Sequence, residues 1–179
     1  MVLGNFYMRS TQNIFLIGPM GVGKSTIGKQ LAAKLGLTFE DSDWEIQRRT
    51  GVDIPTIFEF EGEAGFRKRE KTVIDELTSQ TGLVLATGGG AVLDPDNRRC
   101  LSSRGLVIYL YCSPDQQYER TQKDKNRPLL QTANPLGRLK ELMEERDPLY
   151  RQVADHVVST EKRNTAAVSK EIIRLYSME

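Results

Sequence analysis

The chain has 179 residues, a length at which one hydrophobic core is the usual solution, and its 27% charged and 39% apolar residues are ordinary globular values. Neither wholesale disorder nor a membrane bundle fits that composition. With 25 Lys and Arg against 24 Asp and Glu, the net charge is +1, which gives no global electrostatic reason to expect nucleic acid or an acidic membrane as partner; an anion has to be gripped locally.

Ahead of the first structured segment, residues 1–10 read as a frayed extension, and Met8 makes residues 1–7 an alternative start or tail. The run Asn13 to Gly18 is short, apolar and ended by glycine, as expected of a strand buried on both faces. A helix follows from Lys24, with Ile27, Leu31 and Leu35 at helical spacing and Gly36 just past its end. Leu37 to Asp41 is a second strand. Ser42 and Glu45 form a Ser-x-x-Glu capping box for a helix that Gly51 can close. A longer helix from about Glu63 to Gln80 buries Phe66, Val73, Ile74 and Leu77. Leu83 to Ala86 is a third strand, stopped by Gly88, Gly89 and Gly90. After a helix beginning near Pro95, Leu106 to Tyr111 is a fourth strand, and Ser113-Pro114 opens the next helix. The stretch 123–135 is polar, basic and broken by Pro128 and Pro135, which reads as a mobile lid. Helices around Leu136 to Arg146 and Thr165 to Tyr176 flank a short strand at Val157 and Val158.

Buried strands alternating with helices imply a three-layer α/β/α domain around a five-stranded parallel sheet, with ligands beyond the carboxyl ends of the strands. The whole chain is read as that one domain. Cys100, Cys112 and the single His156 are too few for a disulfide framework or a zinc site. No apolar run approaches the roughly eighteen residues of a membrane span, and the opening lacks the basic and apolar regions of a secretory signal. A cytoplasmic location is expected, and nothing demands more than a monomer.

Gly18-Pro-Met-Gly21-Val22-Gly23-Lys24-Ser25 fits G-x-x-x-x-G-K-[ST] between a strand and a helix, the context that gives this phosphate cradle its meaning. Glycines let the backbone curl with its N–H groups inward, Lys24 reaches the β- and γ-phosphates, and Ser25 ligates Mg²⁺. Gly21 through Thr26 are therefore assigned to ATP, with Mg²⁺ as cofactor. Asp41 and Asp43 stand at the end of the second strand and face that cradle. Two readings of Asp43 stand side by side: alignment of an acceptor hydroxyl, or an acid favouring the helix N-terminus that Ser42 caps. The triple glycine suggests close approach of backbone to a ligand. Arg67 and Arg146, taken alone, fit solvated surface charges as well as ligands.

These motifs together resemble the shikimate kinases over nearly the whole chain. The stretch Arg67-x-x-Glu70-x-x-x-Ile74, followed by Val84 to Val92 with the triple glycine, stands among four others. They are the phosphate loop, Asp-Ser-Asp at 41–43, Arg-Pro-Leu-Leu at 127–130 and Arg-Asp-Pro-Leu-Tyr at 146–150. The resemblance implies a P-loop kinase that moves the γ-phosphoryl group of ATP to the 3-hydroxyl of shikimate, a step of aromatic amino acid biosynthesis. It assigns Lys24, Asp43 and Arg127 to catalysis, and Asp43, Arg67, Gly89 and Arg146, with Gly88 and Gly90 beside them, to the substrate. Asp41 holds the metal through water, and Arg120 and Arg163 lie near the adenine. The sequence departs from the family in the adenine-side loop, where Thr160 leads to Thr165 without the usual proline. Gluconate and nucleoside monophosphate kinases share the cradle and sheet, but Arg67, Arg146 and the glycines favour a carboxylated polyol. A GTPase-like switch should show Asn-Lys-x-Asp and Asp-x-x-Gly, and neither is present.

Overall fold

The computed structural model describes residues 12–179; the frayed extension expected over residues 1–10 lies outside the described residues. Strand β1 (Asn13–Ile17) is the middle of a five-stranded sheet, between β3 (Leu83–Ala86) and β4 (Gly105–Tyr111), with β2 (Thr38–Asp41) and β5 (His156–Ser159) at the edges. All four pairings are parallel. Every residue of β1 is buried, and the period of two divides them between two cores. Ile14 and Leu16 pack on one face, Phe15 and Ile17 on the other.

The first face is covered by α1 (Lys24–Leu35) and α7 (Thr165–Tyr176), through Ile27, Leu31, Val168 and Ile172. The second is covered by α2 (Ser42–Thr50), α3 (Ile54–Thr78), α4 (Pro95–Arg104) and α6 (Pro135–Val153), through Ile46, Phe66, Leu101 and Tyr150. The short α5 (Pro114–Thr121) packs on α6. Parallel neighbours need such crossovers, so the carboxyl ends of all five strands open on the same edge.

Three local expectations change. Asp41, not Ser42, caps α2: its Oδ1 accepts from the backbone N–H of Asp43 and Trp44 at 3.0 and 3.1 Å. Ser42 Oγ instead accepts from the N–H of Gly88 at 3.1 Å, and Glu45 is taken by Arg48 and Arg49. Helix α3 starts at Ile54, capped by Asp53, and bends at Gly62, where φ is 69°. The expected start at Glu63 is the residue just past that bend. Helix α6 runs through Pro148 to Val153 rather than stopping at Arg146, because Tyr150 and Val153 are buried in the second core and hold the last turns.

Candidate active site

Of the seven α-helices among the described residues, six carry a side-chain cap: Asp41, Asp53, Asp94, Ser113, Asn134 and Asn164. Helix α1 does not. Its cap is Gly23, with φ 92°, and its first turn holds no acid. Open N–H groups at the positive end of a helix form an anion site, and Gly21 and Gly23 both sit at positive φ to aim the loop there. Lys24 folds back across the loop and donates to the carbonyls of Gly18 and Pro19 at 2.8 and 2.7 Å. Burial, then the charge of Arg127, lowers its pKa to about 8. Val22 alone of the loop residues turns inward and joins the core.

Beside the loop, Ser25 Oγ donates to Asp41 Oδ2 at 2.5 Å. Two hard oxygen donors fit a magnesium ion that keeps waters and is shared with phosphates, since Mg²⁺ rarely has an all-protein cage. No group of three or more His, Cys, Asp or Glu side chains placed to hold a metal ion occurs among the described residues. Asp41 thus serves both α2 and the serine, while Asp43 stands in the first turn of α2, where an acid favours the helix N-terminus, and also lines the cleft.

Across the cleft the polar groups are left open. Asp43 Oδ1, Arg67 Nε, Glu70 Oε2 and Arg146 Nε are buried without a hydrogen-bond partner, although an orphaned buried polar atom costs about 1–3 kcal/mol. All four belong to the walls around the glycine turn. A Cβ at Gly88 would fall 2.7 Å from Asp43 Oδ1 and 2.9 Å from Glu70 Oε2, and one at Gly90 would fall 2.5 Å from Arg67 Cζ. The triple glycine is thus explained by side chains as well as by ligand: Gly88 and Gly90 make room for Asp43, Glu70 and Arg67. At Gly89, which is partly exposed, a Cβ would meet only ordinary contacts. The N–H groups of Gly89 and Gly90 have no hydrogen-bond partner among the described residues, whereas Gly88 and Ala91 donate to Ser42 and to the Gly88 carbonyl.

Burial, then the charge of Asp41, pushes the Asp43 carboxyl up; burial raises Glu70 to about 7 against the pull of Arg67, which donates to it at 2.8 Å. A carboxyl poised nearer neutrality is a better proton acceptor for a hydroxyl than an ordinary exposed one. Arg146 is 4% exposed, an unusual burial for arginine. An arginine fork with open donors, in a cleft, is what a planar carboxylate fits.

A cleft of about 480 Å³ joins these parts, lined by Gly21, Gly23, Lys24, Ser25, Thr26, Asp41, Asp43, Gly88, Gly89, Arg120 and Arg127. A smaller recess shares Asp43, Gly88, Gly89 and Arg127 and continues to Arg67, Gly90 and Arg146. The segment of the expected lid closes one side with Asn126, Arg127, Pro128 and Leu129, and Asp124 holds Arg127 Nε at 3.0 Å. Arg120 reaches back to the Gly21 carbonyl at 3.1 Å. Arg163 is not among the lining residues; it donates to the Ser159 carbonyl at 2.9 Å and pairs with Glu171 at 2.7 Å. Sequence reasoning gives Ser42 a capping role and places Glu70 and Tyr150 in motifs without a role at the site, and it singles out neither Trp44 nor Phe58; all five support or line the site. Glu70 was visible three residues after Arg67, the spacing of a helical ion pair. Nothing local marks Phe58, and Tyr150 is marked only as the end of the Arg-Asp-Pro-Leu-Tyr motif.

Comparison with known proteins places the whole chain. The family model described as shikimate kinase matches residues 20–177. The shikimate kinase of Methylococcus capsulatus is 59% identical over 169 residues, 94% of each chain. That of Thioalkalivibrio sulfidiphilus is 60% identical over 171 residues, 96% of this chain and 90% of the relative. Among solved structures, the shikimate kinase from Acinetobacter baumannii in complex with shikimate superposes with a TM-score of 0.93 at 50% identity, covering 95% of each chain. The shikimate kinase from Aquifex aeolicus gives 0.80 at 39% identity, covering 93% of this chain and 96% of that one.

Proposed function

The chain belongs to the shikimate kinase family and is an ATP-dependent kinase of shikimate, and from that premise we propose how its own residues carry the reaction. The observation that supports the assignment best is the set of four orphaned buried atoms around the glycine turn, facing a helix N-terminus with no cap. One side offers donors for phosphate. The other offers two arginines for a carboxylate, and Asp43 with backbone N–H groups for ring hydroxyls.

ATP lies with its phosphates on the N–H groups of residues 21–26, and Lys24 leaves the loop carbonyls to follow the β- and γ-phosphates. Arg67 and Arg146 hold the shikimate carboxylate, so the ring is oriented before any bond changes. Asp43 accepts the hydrogen of the 3-hydroxyl and takes its proton as that oxygen attacks the γ-phosphorus in line. Lys24 and Arg127 stabilise the charge on the moving phosphoryl group and, at the same time, favour the ionised form of Asp43. Ser25 would hold Mg²⁺ directly and Asp41 through water; when bound, the ion neutralises phosphate charge. Segment 123–135 acts as a lid that brings Arg127 over the phosphates and excludes water. We assign Arg120 to the adenine side. Arg163, which the resemblance also assigns to that side, is engaged by the Ser159 carbonyl and Glu171. The enzyme is read as a cytoplasmic monomer, in keeping with its two free thiols.

A coupled assay of ADP release with ATP and Mg²⁺, offered shikimate, gluconate or nucleoside monophosphates in turn, tests the substrate. Release is expected with shikimate alone. Turnover of the other acceptors with none of shikimate would reverse the assignment.

A further inference from the structure

The glycine turn and Arg146 approach the acceptor recess from different elements, and one side chain touches both. Tyr150 lies four residues after Arg146 on α6, the spacing that puts the two on one helix face. It is 1% exposed. Its hydroxyl donates to the carbonyl of Gly89 at 2.5 Å, and it lines one small recess together with Arg146. Its ring packs on Tyr109 with centroids 4.8 Å apart, and the hydroxyl of Tyr109 is taken by Asp147 at 2.7 Å. Tyr150 is therefore itself held from behind.

The carbonyl of Gly89 and the N–H of Gly90 belong to one peptide plane and, the bond being trans, point to opposite sides. Drawing that carbonyl inward onto Tyr150 turns the Gly90 N–H away from it, and this N–H has no partner among the described residues. The rotation of a glycine peptide has little else to fix it.

We propose that Tyr150 is a positioning residue for the acceptor substrate: by tying the Gly89 carbonyl to the face of α6 that carries Arg146, it sets the backbone donors and the carboxylate fork at one mutual distance. The proposal rests on the shikimate kinase reading above and extends it to a residue that touches neither reactant. A tyrosine that served only to fill space would be replaced by phenylalanine with its ring, volume and stacking kept, and affinity for the acceptor would stay as it was. A positioning tyrosine loses acceptor affinity selectively, because no group on the phosphate side depends on it.

The test compares Y150F with Y109F, which also removes a buried hydroxyl from the same ring pair but one tied to Asp147 instead of the site. For Y150F we expect the KM and the calorimetric Kd for shikimate to rise roughly tenfold, the upper end of what loss of one buried hydrogen bond implies. The KM for ATP and kcat should each stay within about threefold. Y109F should lower the melting temperature and leave the shikimate KM unchanged. With the analogue in which the carboxylate is reduced to a primary alcohol, the effect of Y150F should shrink, since the fork then has nothing to orient. Unchanged shikimate affinity in Y150F, an equal loss for ATP, the same loss in Y109F, or failure of Y150F to fold would each assign Tyr150 to packing and overturn the proposal. If the unaltered enzyme did not phosphorylate shikimate, the functional reading itself would fail, and that is seen before any variant is made.

Discussion

On the phosphate side of the cleft, Lys24 and Asp41 close on their own neighbours: the lysine on the carbonyls of Gly18 and Pro19, the aspartate on Ser25 and the first turn of α2. On the acceptor side, Asp43, Arg67, Glu70 and Arg146 each keep a buried atom with no partner. The difference follows from how each side is made. The cradle is one contiguous segment rich in glycine, so its polar groups find partners within it and beside it. The acceptor wall is assembled from α2, α3, the glycine turn and α6, each fixed by its own core contacts, and it cannot collapse to satisfy its polar atoms. One side satisfies its own polar groups; the other is kept unsatisfied by packing, at a cost in stability.

The sharpest break of that comparison is Lys24→Met. Turnover should fall by about three orders of magnitude or more with the fold intact, since the lost charge acts on the moving phosphoryl group; single-turnover phosphoryl transfer is the measurement. Asp43→Asn should lower kcat roughly a hundred- to a thousandfold while the KM for ATP hardly moves, and unaltered turnover would remove its catalytic role. Arg146→Lys keeps the charge but loses the fork, so the KM for shikimate should rise about ten- to a hundredfold with kcat much less affected. Calorimetric titration of shikimate separates that effect from any on ATP.

A smaller effect concerns Glu70. Its carboxyl is raised from 4.5 to about 7 by burial, so the folded protein binds a proton there that the unfolded chain releases. This group therefore contributes its full stability below about pH 4.5 and loses it as pH rises through 7, a change of at most about 3 kcal/mol. Glu70→Gln should flatten that part of the profile: the melting temperature of the variant should gain on the unaltered enzyme by about 5 °C between pH 5 and 8. Equal slopes would show that Glu70 is ionised throughout. The smallest effect is expected from Arg163→Ala. With its guanidinium already engaged by Ser159 and Glu171, the KM for ATP should change less than about threefold.

Legibility from sequence followed the same division. The cradle, the strand before it and the helix after it are adjacent in the chain, and local glycine and hydrophobic spacing specified them almost to the residue. Helix α2 was placed correctly while its cap was not, because Ser42 and Asp41 are equally good caps and only the approach of Gly88 decided that the serine would serve the turn. The first half of α3 was missed despite Asp53 and Pro55 at its start, since Gly62 interrupts the helical spacing and Phe60 is exposed. Pro148 argued for an end to α6 that the burial of Tyr150 overrode.

By itself the sequence determined an alternating α/β chain with a nucleotide cradle, and its five motifs pointed to one family, because hydrophobic period and turn chemistry act over a few residues at a time. Only the tertiary structure decided which polar groups are left without partners, that Gly88 and Gly90 make room for side chains rather than ligand alone, and that Tyr150 stands behind both walls of the recess. Those facts depend on distances between segments far apart in the chain, which close packing of the two cores sets and no local pattern encodes.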